Sequence, residues 1–249
     1  MSSHAGPANW WTIGTNEGRT HIATKGVVQS GLVLNLDASV SSSYPGTGTS
    51  WTDMSGNGNN GTLTNGPTYN SANNGSIVFD GTSDYVTCGN HSSLSFTNNL
   101  TIQVWCSLND NNDYRSPLMK TTSFNWDDGY GFYKETGRFY FFINLWDGAH
   151  RVSVSKTTFS MTNFVGTYDG TNLKLYENGI LMQTGSSFTS NVSNSGTNLI
   201  IGNGGDGHGT GFNPYTWNGG ISNAQVYNRA LTAAEVQRNF NATRERYNI

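Results

Sequence analysis

The sequence predicts an all-β chain, a two-sheet antiparallel jelly-roll sandwich with one short C-terminal helix, and three observations carry that expectation. Glycine is abundant, at 31 residues, while charged residues are only 12%, the texture of short strands joined by turns and not of charge-laced helices. Apolar side chains recur at every second position through most of the chain from residue 31 onward. Asn-Gly and Asp-Gly pairs, whose residues tolerate positive φ, separate those runs at short intervals. With 12% aromatic residues the chain has the apolar area for a true core, which excludes disorder.

Residues 1–30 differ in texture from the rest of the chain. They carry Trp10 and Trp11, several glycines and no sustained alternation, and read as an extended arm. Two readings stand side by side: a poorly ordered terminus, or a docking segment in which the tryptophan pair is the anchor. The opening MSSHAGPANWWTIG lacks the basic and then apolar pattern of a signal peptide, and no run approaches the about 18 apolar residues of a membrane span. The expectation is a chain made in the cytoplasm that leaves it, if at all, without a signal peptide.

A single domain is expected over residues 31–249. Its first strand holds Leu32, Leu34 and Leu36 on one face, with Val33 and Asn35 on the other. Residues 41–74 are rich in Asn-Gly turns and should hold short hairpins. Residues 77–79 and 85–88 flank Asp80-Gly81, and Leu100–Leu108 alternates with Ile102, Val104 and Cys106 on one side. Residues 130–133 and 139–145 come next. The second of these is bulky on both faces, so it is either central or covered on its outer side. Residues 164–168, 173–177 and 180–184, joined at Asp169-Gly170 and Asn178-Gly179, predict three consecutive antiparallel strands. Two more strands fall near 199–202 and 220–227. Thr232 with Glu235 forms a capping box ahead of Val236 and Phe240, predicting a helix over residues 233–241.

Charge and cysteine content narrow the partners. A net charge of −3 argues against a protein held by nucleic-acid phosphates. Cys88 and Cys106 sit in separate predicted strands without metal-ligand spacing; free buried thiols are the expectation, with a bridge left open. The sequons at Asn60, Asn90, Asn99, Asn191 and Asn241 read as chance in a chain rich in Asn, Ser and Thr.

Three segments carry a family resemblance: residues 77–86 (IVFDGTSDYV), 166–179 (GTYDGTNLKLYENG) and 220–235 (GISNAQVYNRALTAAE). Together they resemble the laminin-G-like jelly roll of the concanavalin A-like lectin and glucanase superfamily, over about residues 31–241. The opening residues 23–38 (ATKGVVQSGLVLNLDA) and 51–62 (WTDMSGNGNNGT) look like the version found in structural proteins of tailed phages of marine cyanobacteria. One departure is visible: Met161 stands where the family usually has Trp, and methionine can fill the same gap. The resemblance implies a non-enzymatic virion or decoration protein displayed on capsid or tail, docked through its arm or an exposed sheet, in which symmetric oligomers are one option. A carbohydrate-binding module serving host-surface adhesion is the alternative.

Catalytic patterns are missing from the sequence. The five glutamates, at 17, 135, 177, 235 and 245, include none followed two residues later by Asp, so the Glu-x-Asp-x-x-Glu pattern of the superfamily's hydrolases is not present. Glu177 precedes an Asn-Gly turn and Glu235 caps the helix, so each has a structural explanation. Nucleophile-elbow, zinc-protease and phosphate-loop motifs do not occur either. No cofactor is required. A structural calcium is one use for Asp80, Asp84 and Asp206 in Gly-containing loops, and turn formation by the same residues is the other. For carbohydrate, Trp126 with Asp127 and Asp128, and Asn213 with Tyr215 and Trp217, supply ring faces beside hydrogen-bonding groups. Trp146, Asp147 and His150 form a weaker version. The opposing reading is that these aromatics plug the ends of the sandwich.

Overall fold

Strands that are apolar on one face must bury it, and two such sheets do so against each other in the computed structural model. It describes residues 26–122, 128–144, 147–194, 196–204 and 215–249, together with the backbone of two short strands, β1 (Gly14–Asn16) and β2 (Arg19–His21), which pair with each other. The first large sheet contains β3 (Leu32–Asp37), β6 (Thr68–Asn70), β7 (Ser76–Asp80), β9 (Leu100–Leu108), β14 (Phe159–Tyr168), β15 (Leu173–Glu177), β16 (Ile180–Thr184) and β18 (Asn218–Tyr227). Its order is β16-β15-β14-β9-β18-β7-β6, with β3 also paired to β18. The second sheet contains β4 (Ser50–Trp51), β5 (Gly61–Thr64), β8 (Tyr85–Thr87), β10 (Arg115–Lys120), β11 (Tyr130–Glu135), β12 (Arg138–Ile143), β13 (Arg151–Ser155) and β17 (Ile200–Ile201). Its order is β13-β12-β11-β10-β17-β8-β5-β4. Every pairing is antiparallel, as short turn-linked strands require.

The expected alternation explains the core. Leu100, Ile102, Val104, Cys106 and Leu108 of β9 point inward to meet Phe139, Phe141 and Ile143 of β12. Phe139 stacks on Phe164 with ring centroids 4.1 Å apart, and Gly166 is glycine because the Phe141 ring lies on it: a Cβ there would be 2.3 Å from that ring. Cys88 and Cys106 are both free and buried in this core, with no bridge between them.

Outer faces are buried too, each for its own reason. The helix α1 (Ala233–Thr243) is capped by Thr232 and Glu235 in the reciprocal box the sequence predicts, two residues longer than expected. It covers the first sheet, placing Phe240 over Trp105, with Tyr247 from the 3-10 turn that follows (Arg244–Tyr247) beside it, and the Trp105 indole N–H donates to Thr243 Oγ1 at 2.8 Å. Met161, the departure from the family pattern, packs against this cluster. On the second sheet Met119, Tyr133, Tyr140, Phe142 and Tyr215 form a separate outer cluster. That decides between the two options for the strand with two bulky faces: β12 lies next to the edge and is covered on its outer side. Among the described residues no helix is long and apolar enough to cross a membrane.

Candidate functional site

Five polar residues, Asn109 to Asp113, connect β9 to β10, and two cations brace them. The Lys134 ammonium, fully buried, donates to Asn111 O at 2.8 Å, Asn111 Oδ1 at 3.1 Å, Asn112 O at 3.0 Å and Asp113 Oδ1 at 3.2 Å. Arg115 donates through Nη2 to Asp110 Oδ2 at 2.7 Å and through Nη1 to Thr216 O at 2.6 Å. Burial alone would raise the Asp110 carboxyl; hydrogen bonds from Arg115 and Asn218 outweigh it and hold the group below its usual value. The loop therefore arrives at Tyr114 with little freedom.

Tyr114 is the consequence. Its backbone sits at φ 65°, in the left-handed region that a bulky residue rarely adopts, and the residue is 46% exposed. The ring stands edge-on to Tyr215 at 5.9 Å and tilted against Tyr133 at 6.4 Å, while Tyr133 and Tyr215 lie 5.7 Å apart. Burial pushes the Tyr133 and Tyr215 phenols upward, so both remain protonated near neutral pH. Arg151 lies 5.2 Å over the Tyr140 ring on the same sheet face. Glu135, raised first by burial and then by Asp113, completes the surroundings, with its charge bearing on Tyr133 and Tyr215. An exposed ring on a rigid aromatic base, beside a carboxylate and a guanidinium, can cover the apolar C–H face of a sugar and hydrogen-bond its hydroxyls.

Of the residues the sequence singled out for carbohydrate, Tyr215 falls in this cluster, 8% exposed, beneath Tyr114. Trp217 does not join it. It is fully buried in the central core, 6.1 Å from Phe159, so it plugs the sandwich and offers no face to a ligand. Asp128 is spent on its own loop, accepting from Thr121 Oγ1 at 2.7 Å, from the Thr122 amide at 2.8 Å and from Thr122 Oγ1. Trp126, Asp127, Asn213, Trp146, Trp10 and Trp11 lie outside the described residues. Asp147 accepts from His150 Nδ1 at 2.7 Å, and the His150 ring lies 4.3 Å from Phe188.

The calcium candidates are likewise turned to backbone. Asp80 accepts from the Thr82 amide at 2.7 Å, and Asp84 from the Asp80 amide at 3.1 Å; Asp206 lies outside the described residues. Among the described residues no group of three His, Cys, Asp or Glu could hold a metal. The glutamates have structural partners as well: Glu177 pairs with Lys156 at 2.6 Å and Glu235 with Arg229 at 2.6 Å.

Sequence reasoning missed Tyr114, Tyr133, Tyr140, Glu135 and Arg151 as a site. Two signals pointed there: the aromatic residues on both faces of residues 139–145, and a polar loop, Asn109 to Asp113, that ends in an aromatic residue.

The family model described as the concanavalin A-like lectin/glucanases superfamily matches residues 80–237. Among solved structures, the chain resembles domain 4 of an extracellular arabinanase from Geobacillus stearothermophilus in complex with arabinotriose, with TM-score 0.61 and 14% identity, covering 83% of this chain and 96% of that one. It also resembles the binding domain of Paraclostridial Mosquitocidal Protein 1, with TM-score 0.60 and 15% identity, covering 85% of this chain and 52% of that one. A third is a structure of botulinum neurotoxin type C, whose cell entry depends on interaction with two ganglioside molecules, with TM-score 0.59 and 14% identity over 86% of this chain and 51% of that one. The chain thus spans nearly all of the arabinanase domain but about half of the toxin chains. At these identities the likeness is one of fold. Curated proteins give no sequence match.

Proposed function

This chain belongs to the concanavalin A-like lectin/glucanase superfamily, and on that basis we propose that it is a non-catalytic carbohydrate-binding module that takes its ligand on the Tyr114 face. The observation that carries the reading is Tyr114 itself, an exposed ring held in a strained backbone conformation on a base of Tyr133 and Tyr215. Strain of about 1–3 kcal/mol persists only where the surroundings impose it, and here a buried lysine and an arginine do so. Glycan and ganglioside recognition by proteins of this fold supports the choice of ligand class.

Catalysis is left out of the proposal because Glu177 and Glu235 are committed to ion pairs and the sequence lacks the Glu-x-Asp-x-x-Glu pattern of the superfamily's hydrolases. Calcium is left out because Asp80 and Asp84 serve backbone amides. Display of the module on a phage capsid or tail, docked through residues 1–30 with the jelly roll at 31–249, rests on the sequence resemblance alone. Removing residues 1–30 and measuring retention on particles tests that setting separately.

The direct test is a glycan array followed by titration calorimetry of the best ligand with the whole chain and with Tyr114→Ala. Loss of a stacked ring lowers affinity about tenfold, the equivalent of about 1.4 kcal/mol. Unchanged affinity in a variant with an unchanged melting temperature refutes the site.

A further inference from the structure

A cavity lies on the other large sheet. It is a groove of about 610 Å³ across the outer face of β6, β7, β18, β9 and the start of β14, beside the part of that face covered by α1. Its floor is Gly220. A Cβ there would meet Ser76 Oγ and Ser107 Oγ at 3.2 Å each and Met161 Cε at 3.5 Å, so a hydrogen at this position is what keeps two hydroxyls and a thioether open to the groove. Ser107 Oγ also accepts from the Gly220 amide at 3.0 Å, which fixes its position.

The walls show which chemistry suits the groove. Among the described residues no charged side chain lines it. Asn73, Asn109 and Ser160 are exposed around it, and their side-chain polar atoms make no hydrogen bond to the described residues. By contrast, Asn70 at the same rim uses its Oδ1 on the Ala72 amide. Phe159, Met161 and Val78, each half-buried, add apolar surface between the polar groups. Unspent neutral donors and acceptors alternate here with short apolar patches, in a volume within the about 300–1,000 Å³ typical of ligand sites.

We propose that this groove is a second binding site, for a short neutral oligosaccharide, on the sheet opposite the Tyr114 face. A neutral sugar suits this lining: hydroxyls for the amides and serines, C–H faces for Val78 and Met161, and no charge to leave unpaired. An extended peptide matches less well, because side chains on the sheet face, and not a free strand edge, present the hydrogen-bonding groups. The site does not depend on the Tyr114 reading, and the two fail separately.

The experiment uses isotope-labelled whole chain and follows amide and Asn side-chain resonances during titration with cello-, laminari-, xylo- and maltohexaose, and with an uncharged decapeptide. Shifts at Asn73, Asn109, Ser160 and Gly220 with at least one hexaose are expected. Asn109→Ala combined with Ser160→Ala should weaken that binding about tenfold, while Tyr114→Ala leaves it unchanged. Both variants replace exposed side chains, and an unchanged melting temperature checks their folding. Silence at these residues with all four sugars, shifts confined to the Tyr114 face, or a response to the decapeptide alone overturns the proposal.

Discussion

Replacing Lys134 with methionine tests how the chain builds its aromatic face. The ammonium is buried and makes four contacts at 2.8 to 3.2 Å, three of them to neutral oxygens of Asn111 and Asn112 and one to the partly exposed carboxylate of Asp113. Methionine fills the space of the stem but leaves those oxygens without a donor. Breaking a buried charged contact from one side costs about 3–5 kcal/mol, and the exposure of Asp113 places this case at the lower end, about 3 kcal/mol. For a chain of this size each kcal/mol moves the melting temperature by about 2–4 °C, so calorimetry should show a fall of about 6–12 °C. The loss has a second signature. The Tyr114 amide donates to Lys134 O at 3.0 Å, next to the same loop, so hydrogen exchange over residues 109–114 should quicken and glycan affinity should fall with it. A melting temperature within about 2 °C of the parent would show that the ammonium does not hold the loop.

Further perturbations probe other parts of the molecule. Trp217→Ala should cost about 3–5 kcal/mol as a core truncation, whereas Trp217→Phe should cost far less in urea unfolding, because the indole N–H it removes is buried without a partner among the described residues. The Arg229 hydrogen bond, with help from Thr232, holds the Glu235 carboxyl down at about 2 from an ordinary 4.5. A lowered carboxylate stabilises the fold above its unfolded value, and the contribution disappears as pH falls from about 5 toward 2. Because the pair is partly exposed, the stability gap between the parent and Glu235→Gln should be about 1 kcal/mol at pH 7 and should close by pH 2; a gap that ignores pH contradicts the ion-pair account. Burial pushes both cysteine thiols up, so a thiol reagent should find neither in the native protein and both after denaturation.

The elements that sequence alone determined are those whose information is local. The alternation in Leu100–Leu108, the Asn178-Gly179 turn with both residues at positive φ, and the Thr232 and Glu235 capping box each state their geometry within a few residues, and each stands in the structure as read. Strand β10 shows the opposite case. Its residues, Arg-Ser-Pro-Leu-Met-Lys, show no apolar alternation, yet all six are buried, because Thr216, Asn90 and Thr197 arrive from distant segments and join the nearby Asp110 in satisfying Arg115 and Lys120. No local pattern announces such partners.

The candidate site divides in the same way. Tyr215 and Trp217, two residues apart and singled out together from the sequence, went to an outer cluster and to the core. Composition could supply the rings. Which ring meets solvent was decided by Lys134 and Arg115 bending one loop so that Tyr114 stands out on the others, a relation between residues up to 101 positions apart that exists only once the sheets have paired. A side chain's burial is a property of everything that packs around it, and for that reason the sequence determined the fold class while only the tertiary structure selected the exposed face.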